Sequence, residues 1–296
     1  YFKTPFTIMN LVLGTAQLGL HYGISNKFGQ VTEETTKKIL SRAKEVGIDT
    51  LDTAISYGLS EQCLGKVGVE DWKIVTKIPE MPADCLDIKD WVNNQINSSL
   101  QRLGVKRLKA LLLHRPKQLL ESNGQELWAA IQKLQNTGKI EKCGFSIYEP
   151  EELELLWKDY QPDIIQSPFN IIDQRLKTSG WLEKLHNNGV EVHVRSIFLQ
   201  GLLLMKKDDR PKRFNCWNSF WEVWDEWLDK EKLTPLEACI GFTNSEPHID
   251  LTVVGVDNLQ QLEQIITVSN KVINQPPKEL MMTDENLINP SNWKKL

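Results

Sequence analysis

Four ionisable side chains carry the clearest chemical potential in this chain. Asp52 and Tyr57 lie in the stretch Asp52-Thr-Ala-Ile-Ser-Tyr57-Gly58, Lys77 ends the run Lys73-Ile-Val-Thr-Lys77, and His114 follows three leucines, Leu111–Leu113. A tyrosine hydroxyl titrates at about 10 in water, so it acts as an acid near neutrality only where a cation eases phenolate formation, and Lys77 could supply that charge. A buried ammonium is costly without a counter-ion, which Asp52 could provide. His114 could then donate a hydrogen bond to a substrate oxygen, polarising a carbonyl and selecting its orientation. Each residue also has an ordinary reading: Asp52 as a turn former, Tyr57 as a rim aromatic, Lys77 as a solvated charge, His114 as a satisfied polar group beside the core. Taken together, the ordinary readings require four coincidences in chain order.

Such a set works only if successive elements bring it to one place. Short β-branched or leucine-rich runs alternate with longer segments of helical period, the pattern of repeated strand-helix units around a parallel sheet. The expected strands are Leu11–Leu13, Thr50–Asp52, Lys73–Lys77, Ala110–Leu113, Lys142–Phe145, Ile164–Gln166, Glu191–Val194 and Leu251–Val254. Helices are expected over Glu33–Val46, Ile88–Leu103 and Gln125–Thr137, each followed by a glycine suited to a left-handed cap: Gly47, Gly104 and Gly138. Thr234-Pro235-Leu236-Glu237 reads as a capping box with proline at the first helical position. The rhythm predicts an α/β fold, a parallel eight-stranded (β/α)8 TIM barrel over residues 1–296, with eight helices alternating with the strands and active groups at the C-terminal strand ends. A doubly wound sheet is the alternative, but Gly14-Thr-Ala-Gln-Leu-Gly19 lacks the glycine spacing of a dinucleotide-binding turn.

Composition narrows the class. In 296 residues, 41% are hydrophobic, so an ordinary globular core is expected and disorder is not. The net charge of −4 argues against nucleic acid as a partner. The five cysteines are scattered, with no C-x-x-C pair, which reads as reduced thiols. No apolar run has the length of a membrane span, and no secretory pattern opens the chain, so a cytoplasmic location is expected. Met9-Asn10-Leu11 reads like a start, with residues 1–8 a leading segment, and residues 271–296 form a tail that could cover the site or lie on the barrel wall. His186, His193 and His248 show no metal-ligand spacing, so no catalytic metal is expected.

The motifs Asp52-Thr-Ala-x-x-Tyr57-Gly58, Val75-Thr-Lys77 and Leu111-Leu-Leu-His-Arg-Pro116 resemble those of the aldo-keto reductase family. The resemblance extends from Leu13-Gly14-Thr15 through Gly144-Phe-Ser146 and Gln166-Ser-Pro-Phe-Asn170 to Val253-Val-Gly255. It implies hydride transfer from a reduced nicotinamide to an aldehyde or ketone, with Tyr57 as acid, Lys77 as modulator of its pKa, Asp52 as partner of the lysine and His114 as orienting donor. It further implies that Ser146 and Gln166 hold the nicotinamide carboxamide, and that Ser196 and Gly255 meet the pyrophosphate and adenosine parts. Gly14, Thr15, Arg195, Asp257 and Gln261 complete the cofactor-binding candidates.

Three departures qualify that mapping. Arg195 stands where many relatives stack an aromatic ring on the nicotinamide; a guanidinium can stack and adds charge, suited to pyrophosphate or an acidic substrate, or it could pair with Glu191 or Glu183 at the surface. Ile147 replaces a common asparagine. Val256-Asp257-Asn258-Leu-Gln-Gln261 has no cation to read a 2′-phosphate. The family keeps NADP(H) narrowly ahead, and this segment makes NAD(H) the alternative.

For the substrate pocket, candidates are His21, Tyr22, Tyr148, Phe214 and Trp217. Trp217, Trp221, Trp224 and Trp227 recur at helical spacing; the stripe is expected to be a buried helix face, with Phe214 and Trp217 as the exceptions nearest the pocket. The expected activity is NAD(P)H-dependent reduction of a small-molecule carbonyl substrate. A non-catalytic nicotinamide-binding regulatory subunit is the alternative, and a Schiff-base enzyme using Lys77 a third. Substrate identity and oligomeric state stay open.

Overall fold

In a computed structural model of the chain, residues 10–26 and 29–295 are described; the expected leading segment, residues 1–8, lies outside them. Eight parallel strands close into a barrel in chain order: β1 (Leu11–Gly14), β2 (Thr50–Asp52), β3 (Lys73–Ile78), β4 (Leu108–Leu113), β5 (Ile140–Ser146), β6 (Ile164–Pro168), β7 (Glu191–Arg195) and β8 (Leu251–Gly255). All eight expected strands are present. Apart from β2 they run longer than expected, because ladder pairing continues into polar and glycine residues such as Ser146 and Gly255 that carry no apolar signal.

The helices follow the expected stops. Ile88–Leu103 ends on Gly104 at φ 70°, a left-handed cap that costs glycine nothing. Thr234 and Glu237 form the reciprocal cap of Pro235–Asn244. Strict one-to-one alternation fails after β7, where Asn218–Glu231 and Pro235–Asn244 both intervene before β8. No described helix is long and apolar enough to cross a membrane.

Period-two alternation divides each strand between two cores. Leu111 and Leu113 join the large cluster beneath the helices. Val75, Ala110, Leu112 and Ile164, all without exposed surface, form a separate cluster on the opposite face, inside the barrel. This inner layer places the site. Two residues beyond Val75 stands Lys77, two beyond Leu112 His114, two beyond Ile164 Gln166, while Asp52 pairs in register with Val75. Gly144 pairs with both Leu112 and Ile164, and Ser146 lies two residues beyond it.

The tryptophan stripe is core, as expected: Trp221, Trp224 and Trp227 are buried. Phe214 corrects the expectation for the pocket. It is fully buried, 5.0 Å from the Trp293 ring, because the tail folds back over it. Trp217 is turned the same way, its indole N–H donating to Asp284 at 3.0 Å. The tail packs on the segments that follow β6 and β7, with Leu280, Leu287, Ile288 and Trp293 buried and no tail residue in the described lining of the cleft.

Close packing inside the barrel leaves Gly144 no room for a side chain, since a Cβ there would stand 1.7 Å from the Ile164 carbonyl oxygen. Gly144→Ala is expected to cost at least about 2 kcal/mol, read as a lower urea midpoint at unchanged m; an unchanged midpoint would show that β5 and β6 can separate there.

Candidate active site

The loop after β2 is folded back onto β1. Thr15 donates from both its amide and its hydroxyl to the Asp52 carbonyl, each at 2.9 Å, and Ser60 donates to Thr15 at 2.9 Å. Tyr57 closes a turn through its amide to the Ala54 carbonyl at 3.0 Å. Gly19 packs so tightly beneath that a Cβ would lie 1.8 Å from the Tyr57 carbonyl oxygen. Gly58, at φ 54°, lets the chain pass in the left-handed region. Glycines 19 and 58 thus set the height of the Tyr57 ring.

Lys77 is completely buried. Its Nζ donates to both Asp52 carboxylate oxygens, at 2.8 and 2.7 Å, and to the Thr53 carbonyl at 3.0 Å. Burial pulls the ammonium below its ordinary value against the opposing attraction of Asp52. All three donors of the ammonium are engaged, which leaves no lone pair for a Schiff base. Gln166 adds a third donor to the carboxylate, Nε2 to Oδ1 at 2.6 Å; its amide must face this way, since a carboxylate only accepts.

Lys77 Nζ lies 5.2 Å from the centre of the Tyr57 ring. The expected depression of the phenol is not what the geometry yields. Burial, then Asp52, hold Tyr57 above its ordinary value, with Arg195 opposing. The lysine charge is largely spent on Asp52, so Tyr57 keeps its proton. His114 meets the tyrosine edge on, with ring centres 6.0 Å apart, and its Nδ1 lies 3.1 Å from the Ser56 hydroxyl. Burial first, then the charges of Lys77 and Arg195, pull its pKa down to about 4. A Ser56 hydroxyl donating to Nδ1 leaves the Nε2–H of the neutral ring free to donate.

A cleft of about 650 Å³ opens beside this group, lined among others by Gly14, Thr15, Tyr22, Asp52, Tyr57, Arg195, Ser196, Gly255, Asp257 and Gln261. His21 does not line it; the ring Nε2 is engaged with the Asn26 carbonyl at 3.1 Å. Ser146 and Gln166 are buried neighbours in register, and Ser146 Oγ and Gln166 Oε1 have no hydrogen-bond partner. Buried polar atoms are normally paired. A hydroxyl that can donate and an amide oxygen that accepts match a primary carboxamide, so the residues present fit a nicotinamide.

Arg195 pairs with neither Glu191 nor Glu183. Its guanidinium donates to the Ile147 carbonyl at 3.0 Å and to the Ser196 hydroxyl at 3.3 Å, and stacks 4.7 Å from the Tyr148 ring centre. Asp257 accepts from Gln261 Nε2 and Asn26 Nδ2, each at 3.3 Å. Sequence reading missed Ser56, Arg115 and the loop after β7, where Ser196, Leu199 and Gln200 all take positive φ beside the cleft. Only Gly201 gave any signal of that conformation.

The His114 shift predicts a pH dependence. Folding holds the imidazole neutral, so as pH falls through 6.5 the unfolded chain binds a proton first and stability drops, levelling below about 4. Relative to His114→Gln, the wild type is expected to lose up to about 3 kcal/mol across that window, measured by denaturant unfolding at each pH. Parallel curves would mean that the folded imidazole protonates normally.

The comparisons with known proteins bear on the family and the fold. The profile described as Aldo/keto reductase family matches residues 10–281. The chain is similar to L-glyceraldehyde 3-phosphate reductase of Escherichia coli (strain K12), at 24% identity over 90% of this chain and 88% of that protein. It is also similar to aflatoxin B1 aldehyde reductase member 2 of Rattus norvegicus, at 27% identity over 88% and 80%. A putative voltage-gated potassium channel subunit beta of Schizosaccharomyces pombe is 24% identical over 85% and 84%. Among solved structures, the holo form of the aldo-keto reductase AKR11C1 from Bacillus halodurans superposes with a TM-score of 0.71 at 21% identity, covering 92% of this chain and 90% of that one. The chain belongs to the aldo/keto reductase family.

Proposed function

We propose that this protein reduces an aldehyde or ketone to an alcohol using a reduced nicotinamide cofactor, with Tyr57 as the proton donor. The observation that carries the reading is Tyr57 at the cleft with His114 edge on to it, backed by the buried Lys77–Asp52 ion pair. When bound, the cofactor supplies the hydride; Ser146 and Gln166 would hold its carboxamide.

The chain's own residues account for the rest. His114, neutral near pH 7, donates to the carbonyl oxygen and aligns it. The carbonyl carbon takes the hydride, and its oxygen takes the Tyr57 proton as charge develops. The resulting phenolate is the state that Arg195 favours electrostatically, and it regains a proton from solvent. Holding Tyr57 protonated until that moment keeps the acid loaded. Tyr57→Phe is expected to lower kcat by about a hundredfold or more while the Kd for the nicotinamide cofactor changes little, checked by steady-state kinetics and tryptophan quenching; retained turnover would remove Tyr57 as the acid.

The S. pombe relative, named as a channel subunit, favours the regulatory alternative, which is separated by the same assay: binding of the cofactor with no turnover on any carbonyl.

The family put NADP(H) narrowly ahead. The described lining of the cleft supports NAD(H) instead: beyond Gly255 it comprises Asp257, Gln261, Gln264, Ile265, Thr267 and Val268, with no lysine or arginine along that stretch. A carboxylate repels a 2′-phosphate and accepts from a ribose hydroxyl. NADH is expected to bind about tenfold or more tightly than NADPH, and Asp257→Lys to narrow or reverse the ratio, measured by fluorescence titration. Equal or tighter NADPH binding by the wild type would restore NADP(H).

A further inference from the structure

The eight arginines of the chain divide sharply by their partners. Arg42, Arg102, Arg107, Arg175 and Arg210 each rest on a carboxylate: Glu263, Glu61, Glu141, Asp173 and Asp225 respectively. Arg213 covers the Phe214 ring. Arg115 and Arg195 form no ion pair among the described residues, yet both lie over one side chain, the Tyr148 ring, at 5.4 and 4.7 Å from its centre.

The backbone that carries that ring is held on both sides. The Tyr148 amide donates to Glu152 at 2.7 Å, and its carbonyl accepts from Arg175 at 3.3 Å. Arg175 is itself held by Asp173. Arg115 directly follows His114, and Arg195 ends β7 and lines the cleft with Tyr57. Both guanidinium charges act on the His114 imidazole, lowering its pKa. Arg195 therefore stands at the cleft, and Arg115, exposed and next to His114 in the chain, stands on the same Tyr148 ring. Arg195 spends hydrogen bonds only on neutral acceptors, the Ile147 carbonyl and the Ser196 hydroxyl. A planar guanidinium matches a carboxylate or phosphate with two parallel donors, and uncompensated positive charge at a cleft mouth draws anions in.

We infer that the substrate is an anionic carbonyl compound whose carboxylate or phosphate is held by Arg115 and Arg195 while its carbonyl oxygen meets Tyr57 and His114. This rests on the reductase reading and adds the substrate class. Arg115 and Arg195 are then specificity residues: they bind the remote charge and leave the reacting bond to Tyr57. Tyr148 is a positioning residue that keeps the two guanidinium planes apart from solvent acids.

The test compares aldehydes matched in shape and differing in charge: 4-formylbenzoate against 4-formylbenzamide, and glycolaldehyde phosphate against glycolaldehyde. Wild type is expected to favour the anionic member of at least one pair by tenfold or more in kcat/KM, and the pair with the larger ratio identifies carboxylate or phosphate. Arg115→Gln and Arg195→Gln are each expected to cut that preference by about tenfold to a hundredfold, chiefly through KM. Lys117→Gln, which removes a nearby cation already paired with Glu149, is expected to leave the preference unchanged. Equal use of charged and neutral aldehydes overturns the anionic class, and a preference that survives both arginine variants overturns its assignment to Arg115 and Arg195; either result leaves the reductase reading standing.

If no aldehyde is reduced, the reductase reading fails and the anion site is judged by calorimetry with 4-hydroxymethylbenzoate and 4-hydroxymethylbenzamide on the cofactor-loaded protein. Tighter binding of the acid, lost in both variants, upholds the site. Equal binding, or an effect of Arg195→Gln on cofactor affinity alone with none of Arg115→Gln, overturns it.

Discussion

The buried contact between Lys77 and Asp52 is the constraint on which the rest of the site depends. An ammonium with no exposed surface survives inside a barrel only if a carboxylate meets it and every donor is used. Here Asp52 takes two of the donors and the Thr53 carbonyl the third. The carboxylate in turn needs more than one cation to satisfy its oxygens, and Gln166 reaches from β6 to complete them. Three strands are thereby tied at one level. Tyr57 and His114 sit above a charge that cannot move, so the electrostatic environment of the acid is preorganised before any substrate arrives.

Backbone packing gives that environment its precision. Tyr57 lies on a loop, and loops are ordinarily the mobile part of a barrel. This one is pinned by Ser60 and Thr15 from within, and by Gly19 from below at a distance that admits no side chain. Thr15, expected as a cofactor contact, both lines the cleft and anchors the loop through its bonds to the Asp52 carbonyl. One residue does both because β1 and β2 are neighbours in the sheet.

Much of this was legible from residue order. The barrel follows from the alternation of apolar runs with glycine-stopped helices, and the grouping of Asp52, Tyr57, Lys77 and His114 follows once strand ends are treated as one rim. Conformation without a compositional mark was illegible. Leu199 and Gln200 adopt positive φ on ordinary side chains, and nothing in the sequence distinguishes them. Phe214 was misread because its fate is decided by the tail, and the packing of Trp293 against it is a contact between residues almost eighty positions apart. The sense of the Tyr57 shift was also hidden. A neighbouring lysine argues for a more acidic phenol, but the sign depends on how much of its charge Asp52 absorbs and how much water burial removes, and both are properties of three dimensions.

Arg195 shows how one departure can redistribute roles. An aromatic ring at that position would offer a face and no charge. The guanidinium offers a face toward Tyr148, donors toward Ile147 and Ser196, and a positive potential felt by both Tyr57 and His114. At the other end of the same cleft stands Asp257. The cleft therefore runs from positive near the reacting groups to negative near its adenosine end. Negative charge is favoured beside Tyr57 and disfavoured beside Asp257, and the proposed preferences for NAD(H) and for an anionic carbonyl compound both rest on that polarity. It is set by Arg195 at the end of β7 and Asp257 two residues beyond β8.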